Sequence, residues 1–402
     1  MTLTVMLESL VCTVVLGVST RLGLGEARAL AERQSAALLE ARTALAVAQA
    51  HVETAGSLVN PVASVSYGPD DPRFAAGLDV ALPYFGQRQR QAQAARAQVS
   101  SSRAELERQR AMLGASVRRT YSGVLAAGAL TSLAREAASR GREVARMAKA
   151  KFEAGSAPEL EVEQADLAAR RLEQLAEDRA VDVQGASLAL ATELGLVDGA
   201  EVEPTGALEA FPVIPPREAL LSRAGAHPDV VVQERRRDAA MARVGAERAA
   251  VIPTPTVGVT LERLAGSAPA EHPFWGVRGS LSVDLPLLSW NVGAIHEAQA
   301  EAEGARAAGE ALRLRQRRAI LGALGRVESG LRRTRLYREQ LVPAAERVEK
   351  LAKVAYSVGR APLVSVLQAE ADVTATRVES VTAARDAQTA LAELEDATGA
   401  ML

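Results

Sequence analysis

A short turn used twice constrains this chain more than any other feature. Phe152-Glu153-Ala154-Gly155-Ser156-Ala157-Pro158 returns in the second half as Tyr356-Ser357-Val358-Gly359-Arg360-Ala361-Pro362. The match continues in phase, because Leu160, Val162, Gln164 and Ala165 answer to Val364, Val366, Gln368 and Ala369, and Gly195 answers to Gly399. Glycine just past a helix end accepts the left-handed conformation that closes the helix, and proline suits the start of the next one. A long helical pattern precedes each copy and a shorter one follows. Each turn therefore predicts the tip of a helical hairpin, and two tips in one frame predict an internal duplication.

Composition agrees with long helices. Alanine dominates the apolar residues and aromatics make up only 3% of the chain, too few for the core of a compact globule. A formal net charge of −2 leaves no basic excess for nucleic acid, so nucleic acid is excluded as a partner. The one cysteine, Cys12, rules out an internal disulfide framework and a cysteine-based zinc site. His51, His227, His272 and His296 are far apart and read as plain polar residues rather than metal ligands. No nucleophile–base pair, phosphate-cradling glycine loop or cofactor motif occurs, so neither an enzyme nor a cofactor is expected. Residues 1–20 form a candidate signal peptide around the apolar run Leu10–Val18, although Glu8 precedes that run and no Lys or Arg does. No other stretch is long and apolar enough for a membrane helix.

The first repeat spans 22–195. A helix is expected from Leu24 to about Val59, with a break near Gln34-Ser35, and Asn60-Pro61 stops it. The apolar period then changes to two over 61–68 and again over 74–83, predicting a strand hairpin. In the first strand Ala63, Val65 and Tyr67 alternate with Ser64 and Ser66; in the second Phe74, Ala76, Leu78 and Val80 alternate with Ala75, Gly77 and Asp79. A helical hairpin follows over 86–195 with its tip at 155–158, its long arm showing the heptad steps of a coiled coil. At about 1.5 Å per residue, about 69 residues make a rod about 100 Å long. Residues 196–216, with Pro204, Pro212, Pro215 and Pro216, read as a linker rather than a core element. The second repeat, 217–402, is expected to carry a helix over 217–252, strands at 255–263 and 275–286, and a helical hairpin over 289–399 with its tip at 359–362. In each repeat the two shorter helices have the summed length of the long one. The strands are therefore expected at one end of a helical body and the tips at the other.

The four strands have the length and alternation of membrane-spanning β-strands. In lipid only closed barrels satisfy every backbone amide, and four strands cannot close alone. A barrel therefore demands several copies, and three would supply twelve strands. Phe74 and Trp275, at strand starts, are candidate interfacial aromatics. Ser64, Ser66, Asp79, Thr260, Ser282 and Asp284 are candidate lumen-facing groups. The alternative is that the hairpins cap a soluble bundle, which would make the chain a periplasmic adaptor or a coiled-coil scaffold. The arginine clusters Arg313, Arg315, Arg317, Arg318 and Arg332, Arg333, Arg335 read as a solvated face.

With the duplicated strand hairpins, the strand ends Leu82-Pro83 and Leu285-Pro286 and the two Gly-x-x-Pro tips in place, the chain resembles the TolC family of outer-membrane efflux channels, and within it the CzcC-like cation-efflux branch. The resemblance covers about residues 22 to 400. It implies a mainly α fold with a small membrane β part, assembling as a homotrimer with a twelve-stranded barrel in outer-membrane lipid on a periplasmic tunnel of helices. It also implies a passive duct that does no chemistry, with metal cations as the suggested cargo class. Partners would be a periplasmic adaptor and, through it, an inner-membrane RND-type pump driven by protons. The adaptor-docking turns map onto Gly155, Ser156, Ala157, Pro158, Gly359, Arg360, Ala361 and Pro362. Where well-known members place acidic gate residues after the second tip, this chain has Ser365 and Gln368. Glu161, Glu163, Glu370 and Asp372 are the neighbouring carboxylates that could face the lumen.

Overall fold

The computed structural model describes residues 20–82, 86–196, 202–264 and 272–402. Residues 1–19 of the candidate signal peptide, with Cys12, the strand-ending Pro83 and most of the loop before the last strand lie outside the described residues. The chain divides into two compact units, one comprising Met1–Leu39, Gln109–Ala224 and Gln316–Leu402, the other Glu40–Arg108 and Gly225–Arg315.

The second of these holds the sheet. Strands β2 (Val62–Tyr67), β3 (Phe74–Ala81), β5 (Pro255–Leu264) and β6 (Phe274–Val283) lie in the order β2-β3-β5-β6, every neighbouring pair antiparallel. The two hairpins of the duplication thus join through β3 and β5 and leave β2 and β6 as edges. Polar ties hold the ends of helices beside the sheet. Gln87 Nε2 donates to the Ile252 carbonyl at 3.0 Å and Arg88 Nη2 to the Gly56 carbonyl at 2.7 Å. Asn291, the one described non-glycine residue with positive φ (55°), donates through Nδ2 to the Glu247 carboxylate at 2.7 Å. Asn tolerates that backbone region better than most side chains.

The other unit is helical and is built on alanine and leucine. Helices α1 (Leu24–Gln34), α3 (Gln87–Glu153), α4 (Glu159–Glu193) and α9 (Leu363–Thr398) contribute most of its buried side chains. Val117, Tyr121 and Val124 pack on Ala27, Ala31, Leu190 and Leu194; Ile320, Leu324 and Val327 pack on Leu220, Leu391 and Leu394. Each fully buried leucine contributes about 1.5–3 kcal/mol, and alanines between them let the helices approach closely. Helix α2 (Ala36–Gly56) follows α1 after Ser35, whose extended backbone (φ −60°, ψ 125°) makes the break.

Three elements differ from the sequence expectation. The stretch 196–216 is not merely a linker. Its residues Val202–Pro204 form β4, parallel to β1 (Thr20–Leu22), and Val202 is buried in the core. Proline density marks chain that cannot be helix, but it does not prevent pairing at an edge. The expected helix over 217–252 is divided into α5 (Arg217–Ser222), a 3₁₀ turn at Arg223–Ala226 and α6 (Pro228–Ala250), with Pro228 at the new start. The second rod is α7 (Val292–Leu336) and α8 (Val342–Ser357) with a π turn at Tyr337–Leu341 between them. Pro343 stands in the first turn of α8, where its missing N–H would interrupt a regular helical ladder.

Gly195 and Gly399 end α4 and α9 in the same way, with φ of 71° and 64°. A Cβ on Gly195 would stand 2.6 Å from the Gln34 carbonyl oxygen. Gly195→Ala is accordingly expected to destabilise the unit by about 1–3 kcal/mol, from backbone strain and the clash together. Thermal unfolding in detergent measures it, and an unchanged midpoint would contradict the close approach.

Candidate functional site

Two places carry polar groups in an ordered way: the sheet and the helical tips. In the sheet, register decides which side chains share a face. Ser64, Gly77, Thr260 and Arg278 form one row across the strands, and Asp79, Gly258 and Ser280 another. Ser66, Ala75, Glu262 and Gly276 make a third row on that face, and Ala81, Thr256 and Ser282 a fourth. The face is polar or small apart from Val62 at the edge beside Asp79 and the terminal pair Leu264 and Phe274 next to the hairpin turn. Its glycines make room for the polar groups. A Cβ on Gly77 would meet Ser64 Oγ at 2.8 Å and Thr260 Oγ1 at 3.0 Å, and one on Gly258 would collide with the Asp79 carboxylate and the Ser280 hydroxyl. The register thus brings together Ser64, Ser66, Asp79, Thr260 and Ser282. Asp284 lies one residue beyond β6, outside the ladder.

The same face holds an ion pair that sequence reading missed. Arg278 Nη2 reaches Glu262 Oε2 at 2.8 Å, with the glutamate side chain 8% exposed and the arginine 65%. Both residues fall in the alternation that marks this face, so period two could have found them.

The opposite face carries Val65, Leu78, Val259, Leu261, Val277 and Leu281, all exposed. Its row nearest the hairpin turns is Tyr67, Phe74, Arg263 and Trp275. Phe74 and Trp275 meet edge to face with ring centroids 5.8 Å apart. Tyr67 and Arg263 complete this belt and were not singled out from sequence.

The tips are two copies of one motif. Ser156 N–H donates to the Lys151 carbonyl and Gly155 N–H to that of Phe152; Arg360 and Gly359 do the same to Ala355 and Tyr356. Gly155 and Gly359 have φ of 68° and 77°, and Pro158 and Pro362 cap the starts of α4 and α9. This is the glycine-terminated helix end in which the last carbonyls find partners. Gly155, Ser156, Pro158, Gly359, Arg360 and Pro362 are exposed, while Ala157 and Ala361 are half-buried.

Beneath the tips a polar cluster ties the hairpins together. Lys151 Nζ donates to the Tyr356 carbonyl and stands 4.1 Å from the centre of its ring. The Tyr356 hydroxyl donates to Glu161 Oε2 at 2.9 Å. Burial and that carboxylate together push the Tyr356 phenol up to about 12, so it keeps its proton. Glu370 is buried, with Arg140 Nε at 3.0 Å and the Lys353 ammonium on its other oxygen. Burial raises the Glu370 carboxyl from its ordinary value despite Lys353. Burial also acts against ionising Glu349, but the hydrogen bond from Lys353 at 2.7 Å holds its carboxyl below the usual range.

Of the carboxylates singled out in the sequence, Glu161 and Glu370 are thus engaged between helices, Glu370 enclosed rather than open to solvent. Glu163, Asp372, Ser365 and Gln368 are exposed. Among the described residues no group of three or more His, Cys, Asp or Glu is placed to hold a metal ion. No described helix is long and apolar enough to cross a membrane, a statement that does not bear on strands.

The family model for outer membrane efflux proteins matches residues 66–196 and 220–400. No curated protein matches. Among solved structures, CusC, described as undergoing conformational changes that accompany folding and transmembrane channel formation, shares 18% identity over 94% of this chain and 92% of its own, with a TM-score of 0.76. A membrane protein from Pseudomonas aeruginosa shares 20% over 93% of both chains at 0.74. The outer membrane protein VceC from Vibrio cholerae shares 19% over 94% and 96% at 0.73.

Proposed function

Because the chain belongs to the outer membrane efflux protein family, a family of channels rather than enzymes, we propose that it is the passive exit duct of an export machine, in which three copies pool their sheets into one twelve-stranded cylinder. Its place is the outer membrane and its fold is that of the outer-membrane channels. The observation that supports the duct most is the sheet itself, four strands with open edges at β2 and β6, one face apolar and exposed, the other polar. Unpaired strand edges are intolerable in lipid, and about eight strands are needed to close even a small barrel. Sharing the cylinder pairs each β6 with a neighbour's β2, turns the apolar face with Phe74 and Trp275 to lipid, and encloses the polar face as a wet lumen.

In this reading the helical body stands in the periplasm, and Gly155 to Pro158 with Gly359 to Pro362 dock on a periplasmic adaptor serving an inner-membrane pump. Cargo crosses without covalent chemistry, selected by the pore-lining groups. Asp79 in the barrel wall and Asp284 at its rim, one residue past β6, favour cations, and metal cations are the cargo class proposed. Glu163, Asp372, Ser365 and Gln368, with Glu161 once it leaves Tyr356, are the wall groups proposed near the periplasmic entrance. Replacing Asp79 and Asp284 by Asn should reduce the cation preference of single channels in planar bilayers. Unchanged selectivity would remove those two residues from the lumen, and a protein without conductance would remove the duct.

A further inference from the structure

A single cation interrupts the apolar face of the sheet. Among the residues that the described strands place on this face, Arg263 is the one that carries a charge, and it is exposed. It stands on β5 between Phe74 of β3 and Trp275 of β6, with Tyr67 of β2 completing the row. The Phe74 and Trp275 rings approach to 5.8 Å between centroids, across the strand that carries Arg263. Among the described residues no hydrogen bond or ion pair holds the Arg263 guanidinium. Glu262, the acid next to it in the chain, belongs to the opposite face and is taken by Arg278. Asp70 and Asp71 lie in the turn beyond the row, since β2 ends at Tyr67 and β3 starts at Phe74.

The level of this row in the membrane follows from the chain path. Every strand meets a helix at its other end: α2 closes at Gly56 ahead of β2, α3 opens at Gln87 after β3, α6 closes at Ala250 ahead of β5, and α7 opens at Val292 after β6. With the helical body in the periplasm, the Arg263 row lies toward the outer leaflet. Pro255 and Arg263 are eight positions apart on β5, about 27 Å along the strand and about 20 Å through the bilayer at the tilt of barrel strands. Arg263 therefore stands within a side chain's length of the outer edge of an apolar band about 25 Å tall. At that depth a guanidinium lifts its charge to the headgroups while its methylenes stay among the rings.

We infer that Arg263 is a docking site for the phosphate of an anionic glycolipid of the outer leaflet, whose acyl chains lie along the Phe74–Trp275 pair. The inference rests on the apolar face being the lipid face of the duct, and it names a ligand for that face. Charge complementarity selects the occupant, because a lipid without an anionic group would leave a cation unpaired at the membrane edge, where desolvating it is costly. Arginine suits the task, since its planar fork matches two phosphate oxygens where an ammonium is a point charge.

The test uses the full chain purified as its trimer in detergent. It is titrated with lipid A carrying its phosphates and with lipid A stripped of them, and bound lipid is counted by native mass spectrometry. The wild type should take one phosphorylated molecule per copy and prefer it about tenfold, the size of one charge-assisted hydrogen bond. Arg263→Gln should lose the preference and Arg263→Lys should keep part of it, both with trimer content unchanged. A second arm leaves Arg263 in place. Trp290→Phe makes Trp275 the one tryptophan, and its emission should shift in phosphatidylethanolamine vesicles containing phosphorylated lipid A and not in those with the stripped form. Equal uptake of the two lipids, a preference that survives in Arg263→Gln, or an emission blind to the phosphates would overturn the site and leave the duct standing. Displacement of the lipid by inorganic phosphate alone would also overturn it, assigning Arg263 to the free ion. Altered ion selectivity of Arg263→Gln channels would place the residue in the lumen and overturn the site together with the face assignment. A protein that neither forms trimers nor conducts in bilayers would overturn the duct as well.

Discussion

Glu395→Ala is expected to cost about 3–5 kcal/mol of stability, because it removes the buried carboxylate that two largely enclosed guanidinium groups share. Glu395 Oε2 accepts from Arg28 Nη2 at 2.5 Å and from Arg118 Nε at 2.9 Å, and its side chain is only 3% exposed. Its other oxygen accepts from the Leu402 amide at 2.9 Å. Arg118 also reaches Gln388, whose own amide donates to the carbonyls of Leu208 and Ala210. One carboxylate therefore joins α1, α3, α9 and the proline-rich connection. Burial, with the neighbouring Arg118 charge, pulls the Arg28 guanidinium below its ordinary value against the attraction of Glu395. Glu395→Gln keeps an acceptor and should lose less. Denaturant unfolding of the detergent-solubilised protein, followed by circular dichroism, separates the cases. Equal midpoints for wild type and Glu395→Ala would show that the cluster does not support the fold.

Val259→Arg and Ser280→Arg should behave in opposite ways although the two positions lie on adjacent strands. Val259 is exposed on the apolar face near the middle of β5, where a cation at the membrane midplane costs about 2–4 kcal/mol per copy. Assembly in the outer membrane should fall sharply. Ser280 stands on the polar face across Gly258 from Asp79, so an arginine there meets a carboxylate in water. Ser280→Arg should assemble at wild-type level and lose cation preference. Heat-resistant oligomer in outer-membrane fractions reads the first effect and bilayer reversal potentials the second. Both variants assembling equally would mean that the face assigned to lipid is wrong.

Much of this was legible in the order of residues because it depends on local repetition. Period-two alternation in 255–264 needs only neighbouring residues to declare which side chains share a face, and the glycine–proline tips announce themselves twice. The Arg118–Glu395 bond has no such signal. Its partners are 277 positions apart, and nothing periodic links them until α3 and α9 pack. The same holds for Glu370, which the sequence offers as a carboxylate that could face the lumen and which Arg140 and Lys353 enclose in the fold. The connection 196–216 was misread for a related reason. Prolines report what a segment cannot be, whereas β4 exists because β1 offers an edge from far away in the chain.

The linear chain alone determined the duplication, the alternation of helix and strand, and the family, since each rests on spacing that the backbone converts directly into geometry. Tertiary packing decided which charges are buried and which carboxylates are held by helices. It also decided that β3 joins β5, so that the two hairpins make one sheet with two open edges. These choices turn on a few ångströms between segments hundreds of residues apart, where Coulomb attraction and desolvation depend on approach and burial rather than on neighbours in sequence.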